Sequence, residues 1–394
     1  MNKNTFFIII ALLCMAGCEG PEQEQGNANN GCPNNQIWYT STDGSIVEPF
    51  SRDDSEDISE DQISMFGAKI VSNTYENGQG TITFENDITS IGTMAFWNCR
   101  NLADITIPSS VTSIGNHAFD ECRYLANITI PSSVSLIGNS AFKACEHLAD
   151  IAIPISVTKI GEEAFCGCKS LSSITIPDSV TSIGNSTFYS CSSLASITIP
   201  DSVTSIGEYA FYGCTGLKRI YIPSSVTLIE NMAFTGCYSL TEIVISKDNP
   251  IYDSRNNCNA LIETASNKLI YGCGGTIVPD TVTSIEDAAF HGNETLKEIE
   301  IPASVKEIGM AAFGSCPALE RIVLPESITS IENSTFSFCE SLAEINIPDS
   351  VIAIENNAFS HCRSLRSITL GDSVERIGRT AFQNCKSLTE ISLP

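Results

Sequence analysis

The chain has 394 residues, with 21 Lys and Arg against 46 Asp and Glu, for a formal charge of −25. So acidic a surface repels phosphate backbones and anionic headgroups, which argues against nucleic acid and against electrostatic docking on lipid. The length would suit two or three globular domains, but an internal repeat removes that inference, because each repeat touches only its neighbours.

Lys3 followed by FFIIIALLCMAGC has the form of an export signal: a basic start, an apolar core, then small residues. Its apolar run, residues 6–16, is shorter than the roughly 20 residues that span a bilayer. One reading is a signal peptide cut by ordinary signal peptidase. Met15-Ala16-Gly17-Cys18, however, resembles a bacterial lipobox, with Met where Leu is usual. The resemblance implies a signal peptide over residues 1–17 and lipid on Cys18, and thus a membrane link through that anchor alone. Residues 18–35 (CEGPEQEQGNANNGCPNN) have little apolar content and read as an acidic flexible tether. Glu19, Glu22 and Glu24 resemble the surface-export signal of Bacteroidetes lipoproteins, which implies an outer-membrane lipoprotein exposed on the cell surface.

Residues 36–87 do not fit the repeat and are expected to form a β-rich cap. Ile37-Trp38-Tyr39-Thr40 is one strand, and Asp43-Gly44 before Ile46-Val47 predicts a hairpin. Lys69-Ile70-Val71 and residues 80–84 (GTITF) are further strands. Trp38, Tyr39, Phe66 and Phe84 are expected to cover the apolar end of the first coil. Between them RDDSEDISEDQ, residues 52–62, has six acids in eleven residues, yet lacks the spaced ligands and central Gly of a calcium loop. A solvated loop without metal is the expectation.

From residue 88 a 23-residue unit recurs, as in CSSLASITIPDSVTSIGEYAFYGC from Cys191 to Cys214. Phe96, Phe119, Phe142, Phe165, Phe188, Phe211 and Phe234 fall 23 apart, as do Phe290, Phe313, Phe336, Phe359 and Phe382. In residues 194–200 strand alternation turns Leu194, Ile197 and Ile199 inward and Ser196 and Thr198 outward. Pro200, which has no N–H for the ladder, ends the strand. Residues 203–206 make a second short strand, Gly207 permits a bend, and Ala210-Phe211 begins a short helical turn that seals the interior. Repeats of this length signal a solenoid.

The unit resembles the 23-residue Treponema-type leucine-rich repeat of the BspA-like (LRR_5) family, over residues 88–394. The resemblance implies a right-handed repeat solenoid, mainly β with short helical turns. About 13 coils carry a parallel sheet face. It also implies surface-exposed adhesion and protein binding in bacteria of host-associated communities, and brings no binding residues with it.

Eleven of the 17 cysteines lie three residues after the Phe, from Cys99 and Cys122 to Cys362 and Cys385; Asn293 holds the twelfth place. Side chains in register at about 4.8 Å do not readily meet disulfide geometry, nor can a straight ladder converge on zinc. Buried small thiols are expected. Residues 246–278 form a 33-residue variant coil in which Ala260-Leu261-Ile262 and Lys268-Leu269-Ile270-Tyr271 flank Ala265-Ser266-Asn267, a hairpin signature expected to replace one Ala-Phe turn. Whether Cys258 and Cys273 within it pair is open.

His117, His147, His291 and His361 are scattered, and no nucleophile elbow, phosphate loop or metal-spaced cluster occurs, so no catalysis and no cofactor are expected. The outward columns are more informative. They are small and Thr-rich through Thr106, Thr129 and Thr175, then change at Lys218, Arg219 and Tyr221, with Glu242, Glu298 and Glu300 beyond. Those six are the candidate ligand-binding residues, because interfaces favour Tyr and Arg. The expected function is non-catalytic binding of a protein or glycoprotein at the cell surface. The alternatives are a structural spacer of the envelope and a peptide or glycan capture subunit of an outer-membrane uptake system. At Pro394 the sequence stops just after a sheet strand, so the expectation is that the last coil frays, that it pairs with another chain, or that the gene product is cut short.

Overall fold

A computed structural model describes residues 31–49 and 65–392. The expected signal peptide, Cys18 and the acidic segment 52–62 lie outside the described residues. The chain winds into a β-solenoid of about 13 turns. A regular coil adds one strand to a first sheet and a two-residue strand to a second, save that residues 150–153 form no strand in the first. Ser196–Thr198 pairs in parallel with Ser173–Thr175, and Ser205–Ile206 with Ser182–Ile183, each in register at an offset of 23 residues. Leu194, Ile197, Ile199, Val203 and Ile206 are buried between these walls, as the alternation requires.

The third wall is built of turns, where the sequence suggested helix. Alternate amides go to different coils. Ala210, Tyr212 and Cys214 donate within their own coil to the carbonyls of Gly207, Tyr209 and Phe211 at 3.2, 3.0 and 3.1 Å. Tyr209, Phe211 and Gly213 donate to Asn231, Ala233 and Thr235 of the next coil at 3.3, 2.8 and 2.9 Å. A helix would keep all these donors inside one coil; here left-handed residues aim every second N–H along the stack. Tyr209 (φ 56°) and Gly213 (φ 70°) are left-handed, and the same two columns, two before and two after the Phe, are left-handed in all twelve coils. Gly207 itself has no positive φ. Its role is close approach, since a Cβ there would lie 2.4 Å from Asn185 Oδ1 and 2.7 Å from the Asn185 amide nitrogen.

The Phe column stacks face to face inside this wall. Phe211 lies 5.5 Å from Phe188 and 5.5 Å from Phe234, with ring planes 12° and 4° apart. Beside it the Cys column is buried, with Cys385 in the last coil half-buried, and all fifteen described cysteines are free, Cys258 and Cys273 included. Each column thiol from Cys122 onward donates to the Phe carbonyl of the coil before, as Cys214 Sγ does to Phe188 at 3.1 Å. Burial pushes the thiols of Cys99, Cys214 and Cys316 up to about 12, because a thiolate there would lose its hydration. Asn293 breaks the column directly after the variant coil, which has no Phe carbonyl to offer. Its Oδ1 instead accepts from the amides of Thr295 and Leu296 at 2.9 and 2.8 Å.

The cap contains β1 (Gln36–Ser41), β2 (Ile70–Glu76) and β3 (Gln79–Phe84). β1 pairs antiparallel with β3 on one edge and with Leu102–Thr106, the first repeat strand, on the other. Tyr39, Phe66 and Phe84 are buried over the first coil, with Phe66 5.9 Å from Phe96. Trp38 faces away and donates to Gln36 Oε1 at 2.9 Å. The hairpin expected at Asp43-Gly44 does not form: Asp43 Oδ1 takes the Ser45 amide, and Val47 tucks under Tyr39. The hairpin is β2–β3, turning at Asn77-Gly78 with φ 53° and 85°. The four residues before β1 belong to the fold rather than to the tether. Cys32 is buried, and Asn34 and Asn35 accept the amides of Ile88 and Phe84.

Candidate functional site

The variant coil decides the local geometry. Tyr252–Asp253, Ala260–Glu263 and Lys268–Gly272 form an antiparallel ribbon, and Lys268–Gly272 then pairs in parallel with Ser284–Ile285 of the second sheet. The hairpin therefore stands in for the short strand as well as the Ala-Phe turn, and it projects from the second sheet. Tyr271, 6.0 Å from Phe234, continues the aromatic column on that side. The first sheet is interrupted here, as it also is at residues 150–153. Thr276, Ile277 and Val278 occupy the strand position without forming a ladder, and Asn259 closes the edge left behind. Its Nδ2 donates to the Thr241 carbonyl and its Oδ1 accepts the Ile243 amide, at 2.6 and 2.7 Å.

Five of the six sequence-derived residues fall on strands of the first sheet, on both sides of this gap, and Lys218 adjoins one of them. Arg219 and Tyr221 lie on Arg219–Ile222, opposite Glu242 and Val244 of Glu242–Ile245. Arg219 Nε is 3.3 Å from Glu242 Oε2 with both side chains more than half exposed, and Tyr221 is 43% exposed. Lys218 is exposed just before that strand. Glu298 and Glu300 are one coil beyond the gap, with Arg321 directly opposite Glu298. Glu298 faces Arg321 in register and Glu300 faces Val323, so neither is paired with the strand of Arg219. Two shallow depressions flank the gap, one of about 440 Å³ bordered by Glu242, Val244 and Asn257, the other of about 260 Å³ bordered by Ile277, Glu300 and Arg321. Ile277 is 75% exposed. Arg321 could have been chosen from its offset of 23 from Glu298; Ile277 could not, because its exposure follows from the missing ladder.

Elsewhere the polar groups serve structure. His117 Nδ1 lies 2.9 Å from Asp120, His147 packs on Tyr124, and His361 stacks on Phe338. Among the described residues no group of three or more His, Cys, Asp or Glu could hold a metal ion.

The BspA type leucine rich repeat region, in six copies, matches residues 68–169, 136–262 and 271–389. This chain belongs to the BspA-type leucine-rich-repeat family. The matched spans of this BspA-type protein omit residues 263–270, the tip of the hairpin. It is similar to a leucine rich cell surface protein from Faecalibacterium prausnitzii A2-165, at 36% identity and TM-score 0.69, covering 81% of this chain and 85% of that one. A leucine-rich repeat protein from Bacteroides ovatus ATCC 8483 is 32% identical at TM-score 0.54, covering 82% and 84%. The pneumococcal vaccine antigen PcpA, 22% identical at TM-score 0.55 over 82% and 87%, shares the fold. Among curated proteins none matches. The family is consistent with a non-catalytic binding or surface role.

Proposed function

We propose that this BspA-type protein is a non-catalytic bacterial cell-surface protein that binds a protein or glycoprotein through its first sheet, around the variant coil. The observation that supports the reading is the juxtaposition of exposed Arg219 and Tyr221 with Glu242 and Val244 on the neighbouring strand, which borders the depression beside the variant coil. Tyr and Arg are the residues on which binding energy concentrates. A half-exposed ion pair such as Arg219–Glu242 contributes little to stability, which leaves it free to serve a partner. Lys218, Glu298 and Glu300 frame the patch. The similar Faecalibacterium protein is described as a cell surface protein, and lipid on Cys18 would hold this chain there.

The test is binding of the mature chain to arrayed proteins and glycoproteins, followed by paired substitutions. Arg219→Ala with Tyr221→Ala should weaken binding by about 30- to 1000-fold, the equivalent of about 2–4 kcal/mol. Thr129→Ala with Thr175→Ala, on the flat half of the sheet, should change it little. The opposite pattern would move the site to the other end. Cys18→Ala should shift the protein from membrane to soluble fractions; unchanged partitioning would refute the anchor.

A further inference from the structure

On the opposite side of the solenoid from the proposed sheet-face site, the variant coil opens a cavity of about 300 Å³, within the size range of ligand pockets. It lies between the turn wall of residues 231–235 and that of residues 286–288, beside the hairpin strand Lys268–Gly272. Its floor is apolar, with Ala233, Phe234, Leu261 and Tyr271.

The hydrogen bonding of this cavity is unlike that of any regular junction. In ten coils the amides two before, at and two after the Phe all donate to carbonyls of the next coil. At this junction the variant coil offers no such turn. The amides of Met232 and Phe234, which line the cavity, have no partner among the described residues. On the facing wall the Ala289 carbonyl is taken by Gly272, while the Asp287 carbonyl accepts no bond from a described residue. Unpaired main-chain groups at a cavity wall are costly unless something occupies the space. The regular coils show what such donors bond to: two main-chain carbonyls two residues apart, as Asn231 and Ala233 present to Tyr209 and Phe211.

Charge narrows the occupant. Glu230, Glu263, Glu286 and Asp287 line the cavity with a single ammonium, Lys268, which is engaged by Glu286 at 2.7 Å. A net acidic wall beside unpaired N–H groups suits a ligand that brings carbonyls and a cation together. We infer that this cavity docks a short peptide segment of a partner protein. Its main chain completes the interrupted ladder at Met232 and Phe234, and its Lys or Arg side chain meets the carboxylates of Glu263 and Asp287. This is main-chain recognition of the β-augmentation kind, confined to one gap in a repeat.

The site is independent of the sheet-face patch, and the experiment keeps the two apart. The mature chain is labelled with 15N-Met and 15N-Phe and titrated with acetyl-Ala-Lys-Ala-amide or with acetyl-Ala-Glu-Ala-amide. The Met232 and Phe234 amide resonances should move with the Lys peptide and respond about tenfold more weakly to the Glu peptide. Glu263→Gln with Asp287→Asn should weaken binding of the Lys peptide about tenfold. The fold should tolerate that pair, since Asn occupies the equivalent of position 287 in several coils, including Asn116, Asn139 and Asn185. Arg219→Ala with Tyr221→Ala should leave the titration unchanged, so failure of one site does not imply failure of the other. Absence of movement at about 10 mM peptide, equal response to both peptides, or unaltered binding by the Glu263/Asp287 variant would overturn the inference.

Discussion

Phe211→Ala tests whether the aromatic column carries the stability of the stack. Phe211 is fully buried, with a ring on each face at 5.5 Å. A buried aromatic side chain removes about 150–250 Å² from water, worth about 4–6 kcal/mol at about 25 cal/mol per Å². A more compact unfolded chain trims that figure by about 10–40%. The result, about 3–5 kcal/mol, agrees with measured losses for large-to-small substitutions of Phe in cores. Phe382 provides the comparison. It is half-buried and meets one ring among the described residues, Phe359 at 5.4 Å, so Phe382→Ala should cost about half as much. Because coils couple only to neighbours, the Phe211 loss should appear as local opening. The assay is urea unfolding joined to hydrogen exchange at the amides of Phe188 and Phe211, which bond to Ala210 and Ala233. A loss below about 1 kcal/mol, or equal losses at both positions, would refute the reasoning.

Two further outcomes follow from the thiol column. The unfolded thiols ionise from their ordinary value of 9.0, whereas Cys99, Cys214 and Cys316 hold their protons up to about 12 in the fold. Above pH 9 the unfolded chain therefore binds fewer protons than the folded one, and stability should be level below that value and fall between 9 and 12. The fall is about 1.4 kcal/mol per pH unit for each protected thiol, and a urea midpoint unchanged at about pH 10.5 would contradict it. Asn293→Cys restores the repeat consensus yet should destabilise by about 1–3 kcal/mol, because the amides of Thr295 and Leu296 lose their acceptor. A gain in thermal midpoint would show that the column tolerates Cys without a Phe carbonyl before it.

The period, the two sheets and the buried columns were legible because Phe, Cys and the inward Ile recur at a strict spacing of 23, and alternation assigns their direction. The turn wall was not. Its left-handed positions hold Met232, His117, Glu163 and Tyr209 as readily as Gly213, so composition carries no mark of the conformation. In the cap, Asp43-Gly44 was read as a hairpin that Asp43 forecloses by bonding Ser45, while the turn at Asn77-Gly78 went unread although it is a hairpin dipeptide. The hairpin runs 260–262 and 268–271 were visible in the variant coil, but the sheet they join depends on pairing with Ser284–Ile285, which apolar runs do not encode. The outward columns placed five of the six candidate residues, all but Lys218, on one face, while the gap that separates Arg219 from Glu298 emerged with the pairing.

Asn293 has a consequence for how such an array changes length. Bonds between regular coils span fixed offsets of 22, 23 and 26 residues, as in Phe211 to Ala233, Ser173 to Ser196 and Cys214 to Phe188. Duplication or loss of one whole unit preserves every such offset, so recombination can lengthen or shorten the stack without disturbing its interior. The variant coil cannot be exchanged in this way by itself. A crossover just after it would set a Cys against a coil with no Phe carbonyl, or strand Asn293 beside a coil that has one. The heritable block here is the 56 residues from Phe234 to Phe290 together with the Asn-bearing turn that follows, and they are expected to be gained or lost as one.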